Sequence, residues 1–452
     1  MANPTSDSRI VPTDQSSAAP ALVEDATTAQ GAVPSPLSTE KRGRFSRLPE
    51  IAGAGFLPLG LIARLPLAML TVGALTLVTA ATGSYASGGF AAGAVGIGSA
   101  MGAPALGYLA DRHGQRPVLL LSAVLNTLAI FALLAVSGFS GGDSVLTPTL
   151  IAAFLMGATC PQIGPLARVR WMALTQDKRP SDLDTALSYE STADELTFVL
   201  GPALVGLLAS VIAPWLPLAL AAALTAAFVS AFAVHPTERA VMPLRRRPTA
   251  ANRQHQQGRG GARTGFLVAL PVLGMVMMGT FFGSTQTSLI AFAGGFGAET
   301  AAGLLYAVMG VSSALTALSV AYWPQRFRHP LRWVLSAGVM CAAAVLPLFA
   351  PDIPLMLVAL LVLGIPVGPT MVTIFSVGSL VAPRQLVGTV MTLLASGIVA
   401  GTAIGASIAG ALAESSVKLA FTVPVAAAVV LLLLGLVCAV VLRSRQVARE
   451  IS

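Results

Sequence analysis

Arg64, Arg168, Arg170, Glu190, Asp194 and Glu195 carry the chemistry of this chain, because each lies in or at the edge of a long apolar run. Placing an ionised group at mid-bilayer costs about 2.5–3.5 kcal/mol on insertion scales, so such groups must face a protein interior and find partners there. Glu190 and Asp194 are four apart in "LSYESTADELTFVLGP" and share a helix face, while Glu195 points about 100° away. Arg168 and Arg170, two apart in "GPLARVRW", point about 200° apart and cannot serve one partner face. The spacing predicts two clusters. One joins Arg64 to Glu190 or Asp194, deep in the apolar region. The other joins an arginine of the fourth helix to Asp111 at the surface.

Two readings of the deep cluster stand side by side. It is a permanent ion network that ties helices together, or it titrates as the protein works. A carboxylate in an apolar site holds its proton more firmly, and a nearby arginine opposes this. Parting such a pair binds a proton and re-forming it releases one. Asp194 is the first choice for that proton, Glu190 the second and Glu195 the third.

Other chemistry is missing from the sequence. The four histidines, at 113, 235, 255 and 329, fall in predicted loops or at helix ends, and Cys160, Cys341 and Cys438 are far apart within apolar runs. No HExxH, P-loop or nucleophile elbow appears. The reading is no catalytic residue, no metal site, no cofactor and no ATP-driven step, hence no enzyme.

The elements that position these groups follow from composition. The chain is 55% hydrophobic and 10% charged, against about 25% charged in soluble domains, so lipid must cover part of its surface. A membrane helix needs about 20 mainly apolar residues. Twelve such stretches lie near 58–80, 87–110, 117–138, 148–168, 186–211, 214–234, 265–290, 300–322, 331–350, 354–380, 385–412 and 418–442. The expected organisation is a disordered polar tail over 1–57, a six-helix bundle over 58–234, a basic linker over 235–264, a second six-helix bundle over 265–443 and a tail over 444–452. Basic residues favour the cytoplasmic side during insertion. Of 27 Lys and Arg, Lys418 alone falls on an outer segment if both termini are cytoplasmic. The net charge of +8 is thus a topology signal, and nucleic acid is excluded as a partner.

The two halves look related. A shift of 214 lays Gly89 on Gly303, Gly96 on Gly310 and Ser99–Ala100 on Ser313–Ala314. A shift of 204 lays Gly164–Pro165 on Gly368–Pro369, and Gly201 and Gly206 on Gly405 and Gly410. A repeat of six helices plus six is a transporter plan.

Between the second and third stretches the chain reads "GYLADRHGQRP". Gly107, Leu109, Asp111, Arg112, Gly114, Gln115 and Arg116 occupy a pattern close to GxLaDrxGrk, with Gln115 where a basic residue is usual. In this the chain resembles the major facilitator superfamily over roughly 58–443. The resemblance implies an all-α integral membrane fold of twelve helices in two pseudo-symmetric bundles. The fifth helix reads "FVLGPALVGLL", where Gly201, Pro202 and Gly206 partly match a glycine-rich motif of drug/proton antiporters in that superfamily. Asp111 is expected to accept from N–H groups of the third helix and from Arg168 or Arg170, as a latch on the state closed to the cytoplasm.

In the C-terminal half no interior charge comparable to Asp194 is apparent. The seventh helix instead offers Met275, Met277, Met278, Phe281 and Phe282 with Thr280 and Gln286. It is read either as plain packing or as one wall of a substrate cavity, faced by Gln162, with Asn126 as a further polar group at depth. The expected function is proton-coupled efflux of a small, partly apolar compound, drug-like or metabolite, by a multi-pass monomer in the cell (inner or plasma) membrane. The partners are that substrate, protons and the lipid bilayer. The alternatives are a sugar, amino-acid or other metabolite transporter, and a non-transporting sensor or scaffold on the same fold.

Overall fold

The computed structural model describes residues 44–83, 85–139, 146–244, 261–297, 302–324 and 326–450. Twelve helices among them are long and apolar enough to cross a membrane. The first six spans are Phe56–Thr82, Ser87–His113, Gln115–Ser137, Leu146–Leu174, Pro180–Val211 and Leu216–Val234. The second six are Gly265–Gly294, Ala302–Tyr322, His329–Phe349, Ile353–Val381, Val387–Ala413 and Val417–Arg443. Alternating spans return the chain after each pair to one side. That side, carrying the start of the first span and the connection between sixth and seventh, is called the linker side below.

Side-chain packing divides the spans into halves. In the first, Met69, Leu70, Ile130, Leu133 and Leu218 form one core, and Phe56, Leu119, Leu166, Trp171 and Phe232 a second nearer the linker side. The second half has a core of Met275, Phe281, Trp333, Met340, Leu360 and Leu431. Glycines let backbones meet where lipid offers no hydrophobic drive. A Cβ on Gly102 would lie 2.0 Å from the Ala158 carbonyl oxygen, and one on Gly368 would lie 2.1 Å from that of Ser313. The first seats span two on span four; the second seats span eight on span ten. Likewise Gly201 abuts Ala68 of the first span, and its repeat partner Gly405 abuts Thr280 of the seventh. This repeated pair thus does the same work in both halves.

Four local features differ from the sequence-based expectation. The tail expected to be disordered through residue 57 is helical from Arg44: a short helix, Arg47–Ala52, buries Leu48 and Ala52 against the core that holds Phe56. Residues 1–43 and 245–260 lie outside the described residues. Gly114 alone separates the second and third spans, where a longer turn was expected; its φ of 101° suits glycine, and its N–H donates to the Ala110 carbonyl at 2.9 Å. The fifth span starts at Pro180, a turn and a half before the expected 186, because proline fits the first helical position. The last helix runs on to Glu450, through the expected tail.

A fifth difference bears on function. The fourth span is two helices, Leu146–Ala158 and Ile163–Leu174, with unwound backbone at 159–162. Pro161 drives its neighbour Cys160 out of the helical region and has no N–H to continue the ladder.

Glycine packing gives a direct test. Gly102→Val should destabilise the protein by roughly 1–3 kcal/mol through overpacking, seen as a lower Tm in detergent. Gly96→Ala, where a Cβ meets nothing within 4 Å, should leave Tm unchanged.

Candidate functional site

The break in the fourth span opens one wall of a cavity of about 50 Å³ between the halves. Its polar wall is Arg64, Gln162, Arg168 and Asp194. Its apolar wall includes Leu67, Phe198, Phe375 and Ile398. This volume has room for a few waters and is well below the roughly 300–1,000 Å³ of an ordinary ligand pocket.

The ion cluster lies on this wall. Asp194 is shared by two arginines from different spans: Arg168 Nη2 at 2.7 Å and Arg64 Nε at 3.4 Å. Arg64 also pairs with Glu190, whose second oxygen accepts from Trp171 Nε1 at 2.7 Å. Two guanidiniums thus meet two carboxylates, and the cluster is neutral. Arg168 is fully buried, with its guanidinium carbon 3.7 Å from the Phe375 ring centre, across the interface between halves. Arg64 Nη1 and Arg168 Nε and Nη1 are buried with no hydrogen-bond partner. Gln162 sits in the N-cap position of Ile163–Leu174 but does not cap it; its amide donates to the Cys160 carbonyl instead.

Glu195 points elsewhere. The Ser313 hydroxyl of the eighth span donates to it at 2.6 Å, and Thr192 donates to the Ala314 carbonyl at 3.1 Å. Both bonds cross between halves.

The arginine–Asp111 contact expected from sequence does not form. Arg168 is committed to Asp194 and Ser191. Arg170 donates to Gln115 at 2.8 Å, to the Phe232 carbonyl at 2.8 Å and to Thr237 at 3.0 Å. Gln115, standing where a basic residue was usual, therefore supplies an acceptor to a buried cation that a basic side chain would repel. Beside it, burial and the Arg170 charge hold the His235 imidazole below its ordinary pKa. Arg112 and Arg116 are exposed.

Asp111 instead reaches the other half. It accepts from the Gly388 N–H at 2.9 Å and from the Thr389 N–H and hydroxyl, each at 2.7 Å, at the N-terminus of the eleventh span. A carboxylate is favoured there by unpaired N–H groups and the helix dipole. The third helix, which begins one residue after the second ends, is not the donor; the eleventh span takes that place. Gly107 makes the approach possible: a Cβ there would lie 2.1 Å from Thr392 Oγ1. A second clasp joins Asp184 of the fifth span to Arg332 Nη1 of the ninth at 3.2 Å, with His329 at 3.8 Å. Arg332 is buried, which corrects the expectation of a second half without interior charge. Its guanidinium also donates to the Phe327 and Pro324 carbonyls, so it orders the connection it lies on. These clasps lie at the linker ends of their spans and close that side.

The remaining candidates separate. Gln162 lines the cavity. Asn126 donates to the Met156 carbonyl at 2.6 Å and ties the third span to the fourth. Met275, Met278 and Phe281 are buried in the second half's core, so the seventh helix turns its methionine–phenylalanine stripe away from the cavity, whose wall in this half is Phe375, Ser396 and Ile398. Thr280 is buried against Gly405, and Gln286 is exposed. On the fifth span Gly201 is a packing residue, Pro202 is half-buried within the helix and Gly206 meets no neighbour. Among the described residues no group of three or more His, Cys, Asp or Glu is placed to hold a metal.

Sequence reasoning missed Phe375, Arg332, Asp184 and Ser313. Phe375 has no signal in its apolar run, but Asp184 near the start of the fifth span and Arg332 near that of the ninth were visible as charges.

The sequence matches the pattern of the Major Facilitator Superfamily over residues 56–397 and again over 272–451. No curated protein matches it. Among solved structures, it is similar to a bacterial homologue of the iron transporter ferroportin in an outward-facing state, with 17% identity, 85% of this chain and 98% of that one covered, and a TM-score of 0.68. It is similar to the human organic anion transporter MFSD10, with 20% identity, 86% and 99% coverage and a TM-score of 0.61. It is also similar to the proton:xylose symporter XylE, with 15% identity, 84% and 95% coverage and a TM-score of 0.61.

The Asp111 clasp predicts a shift of state. Asp111→Ala removes charge-assisted hydrogen bonds worth roughly 1.5–3 kcal/mol and should open the linker side about tenfold more often. A Thr392→Cys reporter in a cysteine-free background should then be alkylated faster. Unchanged alkylation would count against the clasp.

Proposed function

Because the chain belongs to the major facilitator superfamily, we propose that it is a secondary active transporter that couples a proton to a small organic compound by alternating access, through the cavity between Arg64, Arg168 and Asp194. The observation that carries this is Asp194 shared by arginines from two spans on the wall of a cavity that lies between the halves. Rocking of the halves changes the surroundings of Arg168, which also rests on Phe375 of the other half. When Arg168 is drawn from Asp194, the carboxylate loses a cation and takes a proton. When the pair re-forms, the proton leaves. This ties protonation to conformation through one movable contact.

The apolar wall supports a substrate with an apolar part. The Gly201–Pro202 pair carries no direction, since Gly201 serves to seat Ala68; efflux or uptake then follows from the gradients across the membrane. Arginines crowd the linker side, so that side is the cytoplasmic one in this reading and the membrane is the cell membrane. One chain holds the whole cavity, so a monomer suffices.

Proteoliposomes test the reading with a panel of small organic compounds and a pH dye inside. Asp194→Asn should abolish flux driven by a pH gradient and retain substrate counterflow. Gradient-driven accumulation at the wild-type rate in Asp194→Asn would overturn it.

A further inference from the structure

The transporter reading leaves the substrate's polar end open, and we infer that it is a carboxylate, which takes the place of Asp194 between Arg64 and Arg168 while Asp194 carries the proton. The inference rests on the cavity assignment above and adds its chemical selectivity.

Three observations converge on it. First, the site already holds a carboxylate. Asp194 bridges the two guanidiniums with one oxygen toward each, a bridge that a substrate carboxylate, with the same two oxygens, can reproduce. Second, the donors exceed the acceptors. Arg168, fully buried on the cavity wall, leaves Nε and Nη1 unpartnered, and Arg64 leaves Nη1. A buried unpartnered donor is costly, and an anion in the cavity answers it. Third, the twelve-residue helix Ile163–Leu174 starts at this wall without a side-chain cap. A Cβ on its second residue, Gly164, would stand 2.9 Å from Asp194 Oδ1 and 3.4 Å from Arg168 Nη1. The first turn of this helix and both arginines therefore meet at one place, where the helix dipole favours an anion.

Charge decides how the anion enters. Asp194 faces Arg64 of the first span and Arg168 of the fourth, with Glu190 and Glu195 on its own span and uncharged Phe375 and Ser396 from the other half. With Asp194 ionised, an added carboxylate makes three negative charges of Arg64 and Arg168's partners against two positive. With a proton on Asp194 the count returns to two against two. Proton and anion therefore load together, and the empty cavity is sealed by Asp194 itself. Both forms are neutral, so the loaded and empty cycles move no net charge at this cluster. The cavity of about 50 Å³ must widen to admit the acid, and Phe198, Phe375 and Leu67 then line the space for its apolar remainder.

The test uses the purified full chain, with benzoate as probe and benzamide as its uncharged counterpart. Benzoate should bind with uptake of about one proton, read from the buffer dependence of the binding heat, and about tenfold or more tighter than benzamide. Asp194→Asn removes the competing charge, so it should bind benzoate more tightly, independently of pH and without proton uptake. Arg168→Gln should lose the preference for benzoate over benzamide, and Arg168→Lys should keep part of it, which separates a lost contact from a lost fold. Equal binding of the two probes, no benzoate binding, or weaker benzoate binding in Asp194→Asn overturns the inference. If those results come with gradient-driven flux that depends on Asp194, the transporter reading stands without the anion. If benzoate binds with its proton but no compound is carried, the anion site stands and the transporter reading fails.

Discussion

Everything at the centre of this molecule depends on one carboxylate having two cationic partners. Buried as they are, neither Arg64 nor Arg168 can be left alone, and Asp194 cannot neutralise both unless Glu190 takes part of Arg64. Trp171 in turn fixes Glu190. The four charges are therefore a closed set in which a change at one member is felt at the rest. Buried sets of this kind add little stability beyond what an apolar core would supply. In the transporter proposed above their value is that they can switch, because the partners come from three spans.

The remainder of the fold makes that motion discrete. Within each half, glycines press backbone on backbone, at Gly102 and Gly201 in one and at Gly368 and Gly405 in the other. Such contacts tolerate little sliding, so each half is built as a stiff body. Between halves polar bonds recur: Asp111 on a helix end, Asp184 on Arg332, Glu195 on Ser313, Thr192 on the Ala314 carbonyl, with Arg168 resting on Phe375. Polar contacts at an interface exchange readily with water when it opens. Polar clasps are thus added to the close approach of Gly107 to Thr392 and of Gly310 to Val199 between the halves.

Much of the architecture was legible from composition because a bilayer leaves a chain few choices. Apolar runs near the right length must become spans, and the repeated glycines marked the halves. Glu190 and Asp194 on one face, near Arg64, followed from helical spacing. What stayed hidden depended on tertiary direction. Asp111 was readable as a latch, yet its donor on the eleventh span lies more than 270 residues away. The methionine–phenylalanine stripe of the seventh helix carried the same periodicity whether it faced core or cavity. Pro161 was visible, but prolines in membrane helices are often absorbed without a break, so the unwinding at 159–162 needed the structure.

The one-residue reversal at Gly114 has a mechanical meaning. A longer connection would let the second and third spans hinge apart and dissipate force. With a single residue between them, the pair is a stiff hairpin, and Asp111 is a hook cut three residues from its tip. Pulling that hook off the eleventh span cannot be absorbed locally by a slack loop. It must turn the hairpin as a lever, carrying Asn126 and, through Met156, the upper part of the broken fourth span with it. The unwound stretch at 159–162 is then the joint at which that torque meets the ion cluster.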